Sequence, residues 1–161
     1  MRAMTAEDAS DVFALNSNPA VMRYTHEPLM KSVEEAKLAL ESYPDFETVG
    51  FGRWGCFLKE TGQMIGFCGL KYLADYEEVD VGYRLLPEFW GRGLATEASR
   101  ACVQFGFERI GLERIKGLVV PEHRASIRVL EKSGLTFENE FWEQDLRVLR
   151  YSICRSGPLT D

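Results

Sequence analysis

The sequence predicts a mixed α/β fold in which helices flank a mostly antiparallel sheet. Three observations predict it: two capped helical segments near the start, three successive strand-like segments between residues 52 and 86, and a glycine turn that joins the third strand to a helix. The full predicted order is α-α-β-β-β-α-β-α-β-β. The strands on either side of the central helix should run parallel, as a crossover connection requires, and most other neighbours should be antiparallel.

Two helices are predicted before the first long strand. Thr5 suits the N-cap of the first helix, because acidic residues follow it in the first turn, and Asn18-Pro19 ends that helix. Ser32 and Glu35 form a capping box for the second helix, which should end before Pro44.

The next segments are strands with short connections. Gly52–Lys59 and Met64–Tyr72 are rich in aromatic and aliphatic residues and are separated by a turn that contains Gly62, and Val79–Leu86 forms the third strand. Beyond the central helix we predict a strand, a helix and a final antiparallel pair, at Arg114–Val120, Arg124–Ser133, Leu135–Trp142 and Gln144–Ile153.

The central helix begins after Gly93 and is stopped by Gly111. Its apolar residues recur at helical spacing, so it should be largely buried against the sheet. The stripe consists of Ala98, Ala101, Cys102 and Phe105, widened by Val103, Phe107 and Ile110.

Composition indicates one domain, predicted as residues 1–161. The 161 residues are 45% hydrophobic and 27% charged, as in ordinary globular proteins. No apolar run approaches the ~20 residues of a membrane helix and no signal-peptide core is visible, so we expect no membrane association and a cytoplasmic location. The formal net charge of −6 disfavours nucleic-acid binding and suits a cationic substrate.

The four cysteines give no sign of a metal site or of a disulfide framework. Cys56, Cys68, Cys102 and Cys154 lie far apart and form no Cys-x-x-Cys pair. We expect reduced thiols that are mostly buried.

The glycine turn has the features of an anion site. Gly91 and Gly93 bracket Arg92, so the backbone can adopt positive φ angles and approach a ligand closely. The helix that begins at Leu94 adds unpaired N–H groups and the positive end of its dipole, where phosphates commonly bind. The P-loop and the dinucleotide fingerprint do not fit, because a Gly-Lys-Ser/Thr ending is missing and Thr96 stands where a third glycine is needed. A plain structural turn remains the alternative.

Three sequence blocks together resemble the GNAT acyltransferase superfamily: Asp80-Val81-Gly82-Tyr83, the run from Trp90 to Ala98, and the run from Ala125 to Gly134. The resemblance covers residues 2 to 153 and is greatest to the RimJ/RimL kind of ribosomal-protein N-terminal acetyltransferase. Trp90, Gly93 and Ala95 occupy the fixed positions of the pyrophosphate signature Gln/Arg-x-x-Gly-x-Gly/Ala, and Trp90 departs from its first position. The family implies an opening strand, of which residues 2–4 would be a stub, and two parallel strands that splay apart around an acyl-CoA thioester.

The resemblance also implies how acetyl-CoA would bind. Its pyrophosphate would lie on the amides of residues 91–96, and its pantetheine arm would pair with the strand at residues 83–86. A bulge there would free an N–H at about Arg84 or Leu85 for the thioester oxygen. The predicted acetyl-CoA residues are Tyr83, Arg84, Leu85, Leu86, Gly91, Arg92, Gly93, Leu94, Ala95, Thr96, His123 and Ser126. No metal is expected.

Acyl transfer to an amine needs one group to accept the amine proton and another to protonate the departing thiolate. The branch pattern Asn-x-x-Ser implies that Ser126 lies near the sulfur, and His123 replaces the Asn, either as a proton donor or as a surface residue. Asp80 occupies a position where the family often carries Glu, so it is the candidate base; its alternative is an exposed strand charge. An α-amine has a pKa near 8, so a dedicated base is not obligatory.

The resemblance places Tyr24, His26 and Trp54 in segments that frame the acceptor pocket, with a plain core role as the alternative. The predicted reaction is direct acetyl transfer to a primary amine, first of all a protein N-terminal α-amine. The alternatives are a small-molecule or antibiotic acetyltransferase and a catalytically silent CoA-binding regulator. A homodimer formed through the edge hairpin at residues 135–153 is a further hypothesis.

Overall fold

One seven-stranded sheet organises the computed structural model, which describes residues 1–155, so residues 156–161 of the predicted domain lie outside the described residues. The sheet order is β1-β2-β3-β4-β5-β7-β6, and β4 and β5 form the parallel pair among antiparallel neighbours. This confirms the predicted mixed fold. The strands are β1 (Arg2–Ala3), β2 (Arg53–Phe57), β3 (Met64–Leu73), β4 (Glu78–Leu85), β5 (Arg114–Val119), β6 (Thr136–Glu143) and β7 (Leu146–Cys154).

Both predicted N-terminal caps are present. The Thr5 N–H donates to the Asp8 carboxylate at 2.8 Å, and the Ser32 hydroxyl accepts from the Glu35 N–H at 3.1 Å. A 3₁₀ turn at Ala6–Asp8 leads into the first helix, and a π turn at Gly106–Ile110 extends the fifth. The helices are α1 (Ala9–Asn16), α2 (Pro19–Met22), α3 (Val33–Glu41), α4 (Asp45–Thr48), α5 (Leu94–Phe105) and α6 (Arg124–Lys132).

The sequence did not predict α2 and α4, because four residues are too few to show a helical period. Within residues 1–155, no helix has both the length and the hydropathy that crossing a bilayer requires.

Two cores cover the two faces of the sheet. The larger one lies between the sheet and α5 and α6, and its fully buried members include Cys68, Leu70 and Ile115. The smaller one joins Val12 of α1 and Ala36 of α3 to the other face. Helices therefore cover both faces of the sheet, and the loops at the ends of its strands remain accessible to a ligand.

The β4–β5 pair is open along most of its length. Its one pair of register partners is Asp80↔Lys116, although β4 pairs with β3 throughout and β5 pairs with β7 throughout. Beyond Asp80, the backbone groups of β4 that point away from β3 therefore have no strand partner. This gap, which we call the split, lies on the side of the sheet where β4 runs into the glycine turn.

The bulge expected near Arg84 and Leu85 is not present. The β3–β4 register is unbroken from Gly66↔Leu85 to Leu73↔Glu78. The nearest irregularity lies instead in the β2–β3 pair, between Cys56 and Phe57. The missing β5 partner, and not a bulge, is what leaves backbone groups of β4 free.

Candidate active site

The turn between β4 and α5 has the backbone geometry that its sequence predicts. Gly91 and Gly93 have φ angles of 72° and 78°, and Gly93 is the N-cap residue of α5. A Cβ added at either glycine would meet no atom within 4 Å, so the left-handed backbone and not crowding requires glycine here. Within residues 1–155, the amides of Leu94, Ala95 and Thr96 have no protein acceptor. They are available to an anion.

Trp90 attaches this turn to the end of β4. Its indole N–H donates to the Leu85 carbonyl at 2.7 Å, although half of the side chain is exposed. Trp90, which stands where the family signature has Gln or Arg, therefore fixes the turn to the end of β4. Arg92 is exposed, with its guanidinium carbon 5.6 Å from the centre of the Phe89 ring.

A surface groove with a volume of about 520 Å³ runs along α5 from Gly93 to Gln104. Arg100 and Lys132 line it, and the Arg100 Nε–H donates to the Lys132 carbonyl at 2.8 Å. Sequence reasoning missed both cations. Arg100 could have been predicted from the sequence, because a residue seven positions after Gly93 lies two helical turns along the same side of the helix.

Ser126 and Tyr83 meet across the split. Burial raises the pKa of Tyr83, and the nearby Ser126 hydroxyl acts against that rise. Tyr83 lies on β4 and Ser126 on the first turn of α6. The structure thus brings together two residues that were predicted to bind acetyl-CoA, Tyr83 along the pantetheine arm and Ser126 near the sulfur.

His123 immediately precedes α6 and stacks on Tyr24. The ring centroids are 4.5 Å apart with an interplanar angle of 24°. His123 is half-buried, and burial lowers its pKa from the ordinary value of 6.5. The imidazole is therefore mainly neutral at pH 7, which suits a proton acceptor better than the predicted proton donor.

Arg84 connects β4 to the segment that carries Tyr24. Its guanidinium donates to Asn16 Oδ1 at 3.0 Å and pairs with the Glu27 carboxylate at 2.8 Å. Its side chain is therefore committed to α1 and to the segment after α2. His26, in the same segment, is exposed and has a φ of 55°.

Asp80 is buried, unlike the exposed charge of the alternative interpretation. One carboxylate oxygen lies 3.3 Å from an Arg53 nitrogen, and the other accepts from the Leu118 N–H at 3.2 Å. Burial raises its pKa to about 6, against the opposing effect of the Arg53 charge. Sequence reasoning missed Arg53, because nothing local pairs residues 53 and 80.

Three further predicted residues have little side-chain surface for a ligand. Trp54 packs in the main core, with its ring centroid 5.6 Å from Phe46 and 5.2 Å from Phe105, and the structure does not bring it to Tyr24 or His123. Leu85 is buried, and the Leu86 N–H donates to the Ile65 carbonyl at 2.9 Å.

The described residues contain no cluster of three or more His, Cys, Asp or Glu side chains that could hold a metal ion.

Known proteins are similar to this chain in sequence and in fold. A family model described as an acetyltransferase (GNAT) domain matches residues 1–136. The uncharacterized N-acetyltransferase YoaA of Bacillus subtilis (strain 168) is 34% identical over 159 residues, which cover 98% of this chain and 85% of that protein. Spermidine N(1)-acetyltransferase of Escherichia coli (strain K12) is 26% identical over 146 residues, covering 89% of this chain and 76% of that protein.

The same likeness is seen among solved structures. A spermidine N-acetyltransferase from Vibrio cholerae, in complex with CoA and spermine, superimposes with a TM-score of 0.81 at 21% sequence identity. The alignment covers 95% of this chain and 93% of that one. At this identity the match establishes the fold.

Proposed function

Because this chain belongs to the GNAT acetyltransferase family and is an acetyl-CoA-dependent N-acetyltransferase, we propose that its acceptor is the primary amine of a small cationic molecule. The transfer is direct, without a covalent enzyme intermediate. The main observation in favour of an acetyl-CoA site is the pair of left-handed glycines at the N-terminus of α5, beside the open end of the split.

The acceptor class has three supports. The spermidine acetyltransferase of Escherichia coli aligns with 89% of this chain, and the Vibrio cholerae structure holds spermine. The chain has a net charge of −6, which favours approach of a polycation. Glu27, whose side chain is 58% exposed, lies beside Tyr24 in the segment that would frame the acceptor.

A protein N-terminal α-amine is the second acceptor class. It is supported by the likeness of the blocks at Asp80–Tyr83 and Trp90–Ala98 to the RimJ/RimL kind of enzyme. The two classes differ in size, so one assay with both kinds of amine separates them.

The binding residues divide into two groups. The amides of residues 91–96 would hold the pyrophosphate, with Arg92 and Arg100 adding positive charge. The edge of β4 that faces away from β3 would hold the pantetheine arm as an added strand, with the backbone of Tyr83 and the Leu85 N–H available to it because the Leu85 carbonyl already accepts from Trp90. Acetyl-CoA supplies the activated thioester.

His123, Ser126 and Tyr83 would handle the protons. The neutral His123 imidazole accepts a proton from the amine as the new amide bond forms. The carbon–sulfur bond breaks, and the departing sulfur receives a proton from the Ser126 and Tyr83 hydroxyls, which already lie against each other.

A thiol-release assay with acetyl-CoA tests the proposal. The panel contains spermidine, an aminoglycoside and a peptide with a free N-terminus, and the same peptide with an acetylated N-terminus is the matched control. Thermal stabilisation by CoA is measured in parallel. Release with spermidine or the aminoglycoside supports a small cationic acceptor, and release with the free peptide alone would replace it by the second class. Stabilisation without release from any amine would favour a CoA-binding regulator.

A further inference from the structure

We propose that Asp80 is a positioning residue that holds β4 and β5 apart, so that its carboxylate sets the split in which the thioester is to lie. The use of the split for a thioester rests on the proposed function. The contacts of Asp80 are observed in the sheet and do not depend on that function.

The split begins at Asp80. Asp80 is the β4 member of the one register pair with β5, and the Leu118 N–H, two residues beyond its partner Lys116, donates to the Asp80 side chain at 3.2 Å. In a continued parallel ladder the acceptor for that amide would be a carbonyl of β4. A side-chain carboxylate between the two backbones holds them farther apart than the ~4.8 Å of paired strands.

The carboxylate is fixed from its other side. Its second oxygen pairs with Arg53 at 3.3 Å, and the two side chains are 20% and 13% exposed for Arg53 and Asp80. Gly82 makes room for Arg53, because a Cβ at that position would overlap the guanidinium. The sequence thus provides the anchor Arg53 on β2, and the carboxylate Asp80 and the space at Gly82 on one face of β4.

Asp80 forms its ion pair with Arg53 and not with Lys116, the lysine opposite it on β5. Lys116 lies across from Asp80 in the register but pairs with Glu78, which precedes Asp80 on the same face of β4. Asp80 is thereby committed to Arg53 and to the Leu118 amide. Both carboxylate oxygens of Asp80 therefore make contacts within the sheet.

Each of the two strands also has an outer neighbour that stays paired, so a change at Asp80 should act on the split itself. β4 is paired with β3 over its whole length, and β5 is paired with β7 over its whole length. Loss of the Asp80 carboxylate would therefore leave the Leu118 amide without its acceptor and let water or a distorted ladder occupy the split.

Asp80→Asn and Asp80→Ala separate a positioning role from a catalytic one. Asn keeps an oxygen acceptor for Leu118 but cannot take a proton from an amine, whereas Ala removes both abilities. Because Ala strands the Arg53 charge, the double variant Arg53→Met/Asp80→Ala is made as well. Asp75→Asn, in the exposed turn before β4, is the matched control for loss of a carboxylate.

Three quantities are measured on the full chain: hydrogen exchange of the Leu118 amide, CoA affinity by calorimetry, and kcat and KM with the best amine. We expect Asp80→Asn to retain the Leu118 protection and the affinity, and to keep kcat within about tenfold, with the acid limb of the pH profile unchanged. We expect both Ala variants to speed the exchange and weaken CoA binding by about tenfold or more, with KM for acetyl-CoA raised.

Two results would overturn the inference. If Asp80→Asn loses about 100-fold or more in kcat while CoA affinity and Leu118 protection stay normal, Asp80 acts as the base. If the Ala variants leave exchange and CoA affinity unchanged, Asp80 does not set the split. A wild-type chain that fails to bind CoA would contradict the proposed function instead, and the exchange measurement would still report on the sheet.

Discussion

Tyr24 and His123, which are 99 positions apart in the sequence, stack with their ring centroids 4.5 Å apart. The contact joins the segment between α2 and α3 to the residue that precedes α6. It also buries the imidazole, which is why the pKa of His123 lies below its ordinary value. A residue predicted for the acceptor and one predicted for catalysis are therefore neighbours.

His123→Asn should remove the acid limb of the pH profile of turnover. His123 is expected to be neutral and able to accept a proton above its lowered pKa, so the activity of the wild-type enzyme should fall only below pH 6.5. The variant should lose about 100-fold or more in kcat at pH 8. The measurement is kcat from pH 5 to 9, with Glu122→Gln, a change at the exposed residue next to His123, as control. An identical profile for His123→Asn would remove His123 from the mechanism.

Gly93→Val should abolish tight CoA binding while the chain still folds. Gly62 has nearly the same φ as Gly93, 73° against 78°, and neither added Cβ would meet an atom within 4 Å. Gly62→Val, in the β2–β3 turn, should therefore carry a similar folding cost of about 1–2 kcal/mol. Calorimetry with CoA should show loss of affinity for Gly93→Val alone. Equal affinities in the two variants would contradict the pyrophosphate assignment.

Ser126→Ala should slow the chemical step and leave CoA affinity near that of the wild type. The Ser126 hydroxyl lies near the Tyr83 phenol, and we propose that both protonate the departing sulfur. We expect a loss of about 10- to 100-fold in kcat, since the Tyr83 hydroxyl remains. Single-turnover kinetics measures this step, and Ser10→Ala on the exposed side of α1 is the control. Unaltered turnover would exclude a role for Ser126.

Asp80 should make stability depend on pH in a predictable direction. Its pKa is about 6 in the folded state, above the ordinary value of 3.8, so the folded state binds the proton more tightly than the unfolded one. The carboxyl group therefore favours folding at low pH, and this contribution is lost as the pH rises through 6. The charges of Arg53 and Lys71 act against the rise in the pKa of Asp80.

The free energy of unfolding of the wild type, relative to Asp80→Asn, should thus increase by about 2 kcal/mol between pH 7 and pH 4.5. Urea denaturation at the two pH values measures it. Asp75→Asn, in an exposed turn, should show no comparable pH-dependent difference. A constant difference between the wild type and Asp80→Asn would mean that burial does not raise the pKa of this carboxyl group.

Local sequence signals predicted most of the fold. The caps at Thr5 and Ser32, the turn at Gly62 and the helix stop at Gly111 lie where the structure has them. The buried stripe of α5 was predicted less well, because Ala101 is exposed and Ser99 is buried. Ser99 is accommodated beside Cys68, with its oxygen 3.7 Å from the sulfur, and such a partner on another element has no signature in the helical period.

The left-handed backbone at Gly91 and Gly93 was predictable from one local motif. The long-range contacts of the candidate site were not, because the pairs Tyr24–His123 and Arg53–Asp80 depend on which strands and segments become neighbours in the sheet. Trp54 shows the converse, since an aromatic residue predicted for the acceptor pocket packs in the core. Three of the four cysteines are buried, as expected, and Cys154 is exposed.

The half-exposed indole of Trp90 gives this protein an intrinsic optical reporter. Trp90 is tethered to Leu85 at 2.7 Å and stands beside the amides offered to the anion, so a bound nucleotide changes the polarity around its ring. Of the three tryptophans, Trp54 is packed in the core and Trp142 is 69% exposed on β6. Replacing Trp142 with Phe would remove the emission of the more exposed tryptophan, and changes in the emission that remains would follow occupancy of the glycine turn without any label.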